Sequence, residues 1–415
     1  MIKSALRSLI SCTLLCSHVL AQGSKVDSSG MQTLRIDPAS ARGTTVSRVF
    51  DEVHFIPLET TKESLFGSIS QLRVTEDKYI VFDYETKAIL IFSKTGKFLA
   101  KINASKIKED PDDKNGRNFY GFELKAENNS TLIQIPAGKS FLYFDLNGVL
   151  VRKAPYSEEE YAGYKKFSDG TAIDQGYLEK KDKDSIYYKL SLVKDKKKIE
   201  GYFPYTLESI RNDENWGGGG LYDYGVPDEL FYLKSYEYNL YKVTPKKLSL
   251  AYQLIFPAIN SLPMDYADNP KYKGKRSDFF RDNRKVFYSI DNTYQLGDNL
   301  YFNLRSFEWS RDDKKSLIYN LRTAELTSIS DIEPDSLSQF LPITDASAYY
   351  DFMNRGFHLY QEGYFYTSYS SLAMFTFKEQ NEGKDRKYDP LLSTYFKTQN
   401  KKSNPVIIQL RPKKN

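Results

Sequence analysis

Apolar and polar residues alternate in short runs broken by polar turns, and the arrangement recurs along the chain. The clearest copy is Tyr79 to Ile102, YIVFDYETKAILIFSKTGKFLAKI. Looser copies are STLIQIPAGKSFLYFDLNGVLVRKA, ELFYLKSYEYNLYKVTPKKLSLAYQLIF, NLYFNLRSFEWSRDDKKSLIYNLRTAELTSI and GYFYTSYSSLAMFTFKE, with a degenerate one at SIYYKLSLVKDKKKIEGYF. Period-two alternation predicts strands with two distinct faces. Phe92, Phe144, Leu192, Tyr241, Tyr319 and Phe375 mark equivalent points of the copies. They lie roughly 50 residues apart, with one longer interval, a period that belongs to propellers and arrays. The pattern predicts an all-β fold, a six-bladed β-propeller of four-stranded antiparallel blades.

Two segments complete the ring. Residues 46–58 (VSRVFDEVHFIPL) form an isolated extended run ahead of the first full copy, and Asn404 to Leu410 (NPVIIQL) supplies a late one. Joined in one blade, they close the circle and remove exposed edges. The propeller therefore spans 46–412, and the polar stretch 22–45 reads as a flexible leader. Within each copy the third and fourth strands are joined by tight turns such as Ser93-Lys94-Thr95-Gly96 and Asp145-Leu146-Asn147-Gly148. Long insertions fall instead between copies, at 103–118, 154–167, 204–225, 257–285 and 329–347. In an up-and-down blade these share one face with the loops between second and third strands. One face is thus elaborated and the other minimal, and long loops on a rigid scaffold are where binding resides.

Composition narrows the setting. Lys and Arg number 59 against 54 Asp and Glu, a formal charge of +5 that gives no general case for nucleic-acid binding. Residues 1–21 read as a signal peptide, with basic Lys3 and Arg7, an apolar stretch from Ser8 to Leu20 and cleavage after Ala21. Lipidation at Cys12 ranks below cleavage, because Arg7 interrupts the apolar run before it. Both cysteines, Cys12 and Cys16, lie inside that signal. The exported chain, periplasmic or extracellular, then has no disulfide, and its core alone must hold it. No later stretch is long and apolar enough to span a membrane. A monomer is expected.

The run from His54 through Ile102, with its IPLETT phrase, its YIVFDYETKAILIFSKTGKFL blade and the terminal NPVIIQL, resembles the secreted bacterial six-bladed β-propeller family. That family is distantly similar to NHL-repeat propellers. The resemblance implies the fold and export, and it implies no common activity and no catalytic residues.

Candidate chemistry is sparse. Outside the signal the histidines are His54 and His358, each inside a strand-like alternation that needs one hydrogen bond and no metal. No GxSxG elbow accompanies the serines. The acidic loop 109–118 (EDPDDKNGRN) has Pro111 and Phe122 where a calcium loop needs acids, so no cofactor is expected, calcium being the minority option. The segment 215–225 (NWGGGGLYDYG) joins Trp216, Tyr222 and Tyr224 to four glycines, offering flat ring faces and close backbone approach. Residues 257–285 interleave Lys271, Lys273, Arg276, Arg281 and Arg284 with Tyr266, Tyr272, Phe279 and Phe280. Ser277 is expected to cap a short helix there whose rings pack inward and whose charges are solvated. Aligned on the repeat, Asp83, Lys234, Arg305 and Tyr369 end their second strands towards the loop-rich face, with Trp309 near Arg305. These residues form the candidate pocket. The function expected is non-catalytic binding of a glycan, peptide or partner protein, with an extracellular hydrolase or lyase using channel carboxylates as the alternative. A pair of converging acids in the channel would mark the enzyme.

Overall fold

The computed structural model describes residues 23–107, 120–128, 130–157, 165–175, 186–195, 197–211, 213, 219–308, 314–344, 357 and 359–413. They form a six-bladed β-propeller. Three strands precede the first full blade: β1 (Gln32–Arg35), β2 (Arg42–Thr45) and β3 (Phe50–Pro57). Blade one is β4 (Gln71–Val74), β5 (Lys78–Asp83), β6 (Ala88–Ser93) and β7 (Phe98–Asn103), hydrogen-bonded in that order. Blade two follows the same order with β8 (Glu123–Glu127), β9 (Ser130–Ala137), β10 (Ser140–Phe144) and β11 (Leu150–Pro155). Blade three holds β12 (Ala172–Asp174), β13 (Tyr187–Lys194) and β14 (Lys197–Tyr205), and a bridge from Lys166 to Ala172 stands in for its innermost strand. Blade four is β15 (Gly220–Asp223), β16 (Leu230–Leu233), β17 (Asn239–Val243) and β18 (Leu248–Ile255). Blade five is β19 (Ser289–Leu296), β20 (Asn299–Arg305), β21 (Ser316–Asn320) and β22 (Leu326–Glu333). Blade six takes β23 (Leu359–Gln361) and β24 (Tyr364–Tyr369), then β25 (Val406–Pro412) and β3. Both ends of the chain therefore close the ring in one sheet, with Ile407 opposite Ile56.

The alternation along each strand sorts side chains into two cores, one per neighbouring blade. In blade one, Tyr79, Val81, Leu90 and Phe92 pack towards Tyr366 and Ile407 of blade six. Their neighbours Ile80, Phe82, Ile89 and Ile91 pack towards Ile133, Ile135 and Phe144 of blade two. Each such side chain, fully buried, contributes about 1.5–3 kcal/mol. This two-sided burial is why the third strand of a blade reads as a nearly unbroken apolar run.

Two expectations change. The stretch 22–45 is no flexible leader in its described part, residues 23–45. Ser24 N–H donates to the Gly201 carbonyl of blade three at 2.7 Å, and Leu250 N–H of blade four donates to the Asp27 carbonyl at 2.8 Å. The strand β1 then pairs in parallel with β18, and β2 pairs in parallel with β22. The segment runs as a belt over the outer edges of three successive blades before entering the sixth, and Leu34, Ile36 and Ala41 are buried in the core. An edge strand needs few apolar residues, and its partner lies far away in sequence, so local pattern carried no sign of it.

The second change is in blade six. Phe375 occupies no strand; it lies in a helix, Ser371–Gln380, which is followed by another, Pro390–Thr398. Both helices open on side-chain caps, Ser370 accepting from Ala373 N–H and Asp389 from Leu392 N–H, the latter with Pro at the first position. The third strand of that blade is β25. The other five markers all fall on third strands: β6, β10, β13, β17 and β21.

Candidate functional site

The innermost strands β4, β8, β15, β19 and β23 surround the channel, and the acids on them each pair with a base. Arg73 Nη2 lies 3.0 Å from Glu123 across blades one and two, and Lys165 Nζ lies 3.5 Å from Asp223 across blades three and four. The third pair is Asp291 on β19 with Arg305 at the end of β20. Each acid faces a base, and among the described residues no group of three His, Cys, Asp or Glu side chains could hold a metal ion. The acidic loop 109–118 lies outside the described residues.

The Asp291 and Arg305 pair is the best-built of these sites. The register of β19 against β20 breaks between Asp291 and Tyr294, where Asn292 takes a left-handed φ of 43°. That bulge turns Asp291 beneath Arg305, whose Nε donates to one carboxylate oxygen. The Asp291 side chain is 20 % exposed and that of Arg305 46 %. Burial pushes the Asp291 carboxyl above its ordinary value despite the opposing Arg305 charge, and its second oxygen is buried without a hydrogen-bond partner. Tyrosines surround the pair. Burial, helped by the Asp291 charge, pushes the Tyr222 phenol up to about 12, and the backbone N–H of Asn292 donates to its oxygen. Burial raises Tyr288 as well, and both charges act on it. The Tyr294 ring stands 6.4 Å from Tyr222 and 6.0 Å from Tyr360 of blade six.

The loop after Arg305 is held from above. Arg284 donates to the Phe307 carbonyl at 3.1 and 3.2 Å, and the Phe307 ring stacks on Phe280 at 5.8 Å with 6° between planes. Phe280 belongs to the short helix Arg276–Asp282, where Ser277 is an interior residue and Lys275 stands at the cap position. Arg276 is buried, not solvated: it binds Asp213 through two nitrogens at 2.8 and 2.9 Å and the Tyr266 carbonyl at 2.7 Å. Burial opposes the charge of this arginine, and the Asp213 carboxylate more than offsets that, raising it. The insertion 257–285 is thus a buttressed wall beside the pair.

The chain matches the family model described as "Domain of unknown function (DUF4934)" over residues 32–411. It belongs to that family. A comparison with curated proteins gives no match. Among solved structures, a Bacteroides fragilis protein described as exported is similar at a TM-score of 0.59 and 15 % identity, covering 92 % of this chain and all of its own. A member of the DUF4221 family from Bacteroides vulgatus matches at 0.39 and 12 %, covering 88 % of this chain and 98 % of its own. A luciferin-regenerating enzyme matches at 0.36 and 9 %, covering 86 % and 95 %. At these identities the first likeness speaks to fold alone.

In this DUF4934 propeller, two of the candidates read from sequence come together, Tyr222 and Arg305, and they do so around Asp291. Lys234 lies apart, towards blade three, 3.0 Å from Glu237 and 3.9 Å above the Phe203 ring. Tyr224 falls on the minimal face. Strand β15 begins at Gly220, so Tyr222 lies on an innermost strand and Tyr224 in the turn after it, 4.5 Å from Phe231. Asp83 is fully buried and accepts from Thr86 N–H at 3.1 Å and Thr86 Oγ1 at 2.6 Å, shaping its own turn. Tyr369 is buried and donates to the Pro342 carbonyl at 3.0 Å. Trp216, Trp309 and His358 lie outside the described residues. His54 sits on β3 beside Glu52 at 3.4 Å, more than half exposed. Sequence reasoning missed Asp291; the visible sign was a charged residue inside an innermost strand, SIDNTYQL.

Proposed function

We propose that this protein is exported and binds a glycan, peptide or partner protein at the loop-rich end of its channel, without catalysis. Support for export is the basic and then apolar start of the chain, together with a relative of the same fold that is described as exported. Support for binding is one observation above the others: an arginine, a buried carboxylate and a set of tyrosines converge from blades four, five and six beside a buttressed wall. The hydrolase or lyase alternative needs acids that converge on each other, and the described channel acids are each matched to a base.

The test is a binding screen of the chain from Gln22 onward against glycan and peptide arrays. Hits are expected to weaken about tenfold or more in a Tyr222→Ala, Arg305→Ala double variant, and to persist in Tyr224→Ala, whose ring lies on the other face. Equal loss in both variants, or none in either, would move the site elsewhere.

A further inference from the structure

Arg305 presents more binding capacity than its partner uses. A guanidinium carries five N–H groups in a planar fork. Asp291 takes Nε, and among the described residues neither Nη1 nor Nη2 donates to an acceptor. The side chain is nearly half exposed, at the end of a second strand where the loop-rich face begins. Anchoring at Nε fixes the plane of the group, while the fastened Phe307 backbone fixes the strand end that carries it. The result is a preorganised edge of two parallel donors, which matches the two oxygens of a carboxylate.

We propose that this edge receives the carboxylate of an acidic saccharide, with Tyr222 and Tyr288 flanking the sugar. The inference rests on the binding function proposed above. The free fork offers two parallel N–H donors to two coplanar oxygens, and the Asp291 carboxylate beside it disfavours a phosphate dianion more strongly than a single carboxylate. The flanking tyrosines suit a sugar because each offers an apolar ring face together with a phenol that donates and accepts towards hydroxyls. Lysine could not replace the arginine, since an ammonium has no planar edge.

The experiment is calorimetric titration of the chain from Gln22 onward with trigalacturonate, galactotriose, inorganic phosphate and a short peptide with a free C-terminus. Trigalacturonate is expected to bind about tenfold or more tightly than galactotriose, and Arg305→Lys to erase that difference while circular dichroism and the thermal transition stay those of the parent. Equal binding of the two sugars, untouched by Arg305→Lys, would overturn the carboxylate site and leave the binding function standing. Preference for the peptide or phosphate through Arg305 would overturn the saccharide. If none of the four probes binds, this inference falls; the array screen separately decides the fate of the binding function.

Discussion

At Asp291 two opposing forces can be ranked. Arg305 favours the charged carboxylate and burial disfavours it, and burial wins, so the folded state holds the proton more tightly than the unfolded chain. Stability contributed by this group is therefore greatest at low pH and falls as pH rises from the ordinary carboxylate value through the raised one. The groups facing it are Arg305, Tyr222, Tyr288 and Tyr294, and the phenols stay neutral across that window. Because Arg305 is half exposed, its ion pair offsets little of the cost. Replacing Asp291 by Asn should raise the thermal midpoint at neutral pH, and the gain should vanish as pH drops into the carboxylate range. Melting curves of both proteins across that range decide the matter. A variant less stable than its parent at neutral pH would mean that the ion pair outweighs the desolvation.

Among the elements, the turn between β6 and β7 shows how sequence chemistry seals the ring. Gly96 has φ of 80°, and a Cβ there would sit 2.2 Å from the Pro57 carbonyl at the end of β3. The same turn is fastened to the chain leaving the sixth blade, since Glu59 N–H donates to the Gly96 carbonyl at 2.8 Å and Phe98 N–H to the Glu59 carboxylate at 2.8 Å. Gly170 makes a clean control, with φ of 84° and nothing within 4 Å of its Cβ position. Chemical denaturation should find Gly170→Ala costing about 1 kcal/mol from backbone strain alone, and Gly96→Ala costing about 2–4 kcal/mol once the clash is added. Equal costs would show that the seam yields. Turns and two-sided strands of this kind were legible because their causes are local: glycine where φ is positive, and alternation where both faces are buried. Phe375 was misplaced because a short apolar run fits helix and strand alike, and its capping residue, Ser370, is equally at home in a turn. The candidate pocket was half legible. Arg305 and Tyr222 stand out as a polar strand end and an aromatic in a glycine-rich stretch, whereas Asp291 is aimed at them by a bulge that no local pattern announces.

For the whole molecule, the belt decides how much of the ring is self-sufficient. A propeller blade leaves its outermost strand with unpaired backbone groups, and open edges invite association. The belt covers the outer strands of blades four and five with parallel partners and touches that of blade three, while Gly43 permits close approach: a Cβ there would meet the Asp331 carbonyl at 2.6 Å. It also carries Leu34 and Ile36, 5 % and 1 % exposed, into the core between blades four and five. At about 1.5–3 kcal/mol for each buried side chain, their loss would remove a large share of the ~5–15 kcal/mol that stabilises a folded protein. A chain lacking residues 23–45 should therefore unfold at clearly lower temperature and aggregate on standing. Gly43→Val, which keeps every apolar group and only forces the belt outward, should give a smaller loss of the same sign. Light scattering combined with a thermal melt separates the outcomes. If the shortened chain melts with its parent and scatters light no more than its parent, the belt is a passive strap and the blades alone carry the stability.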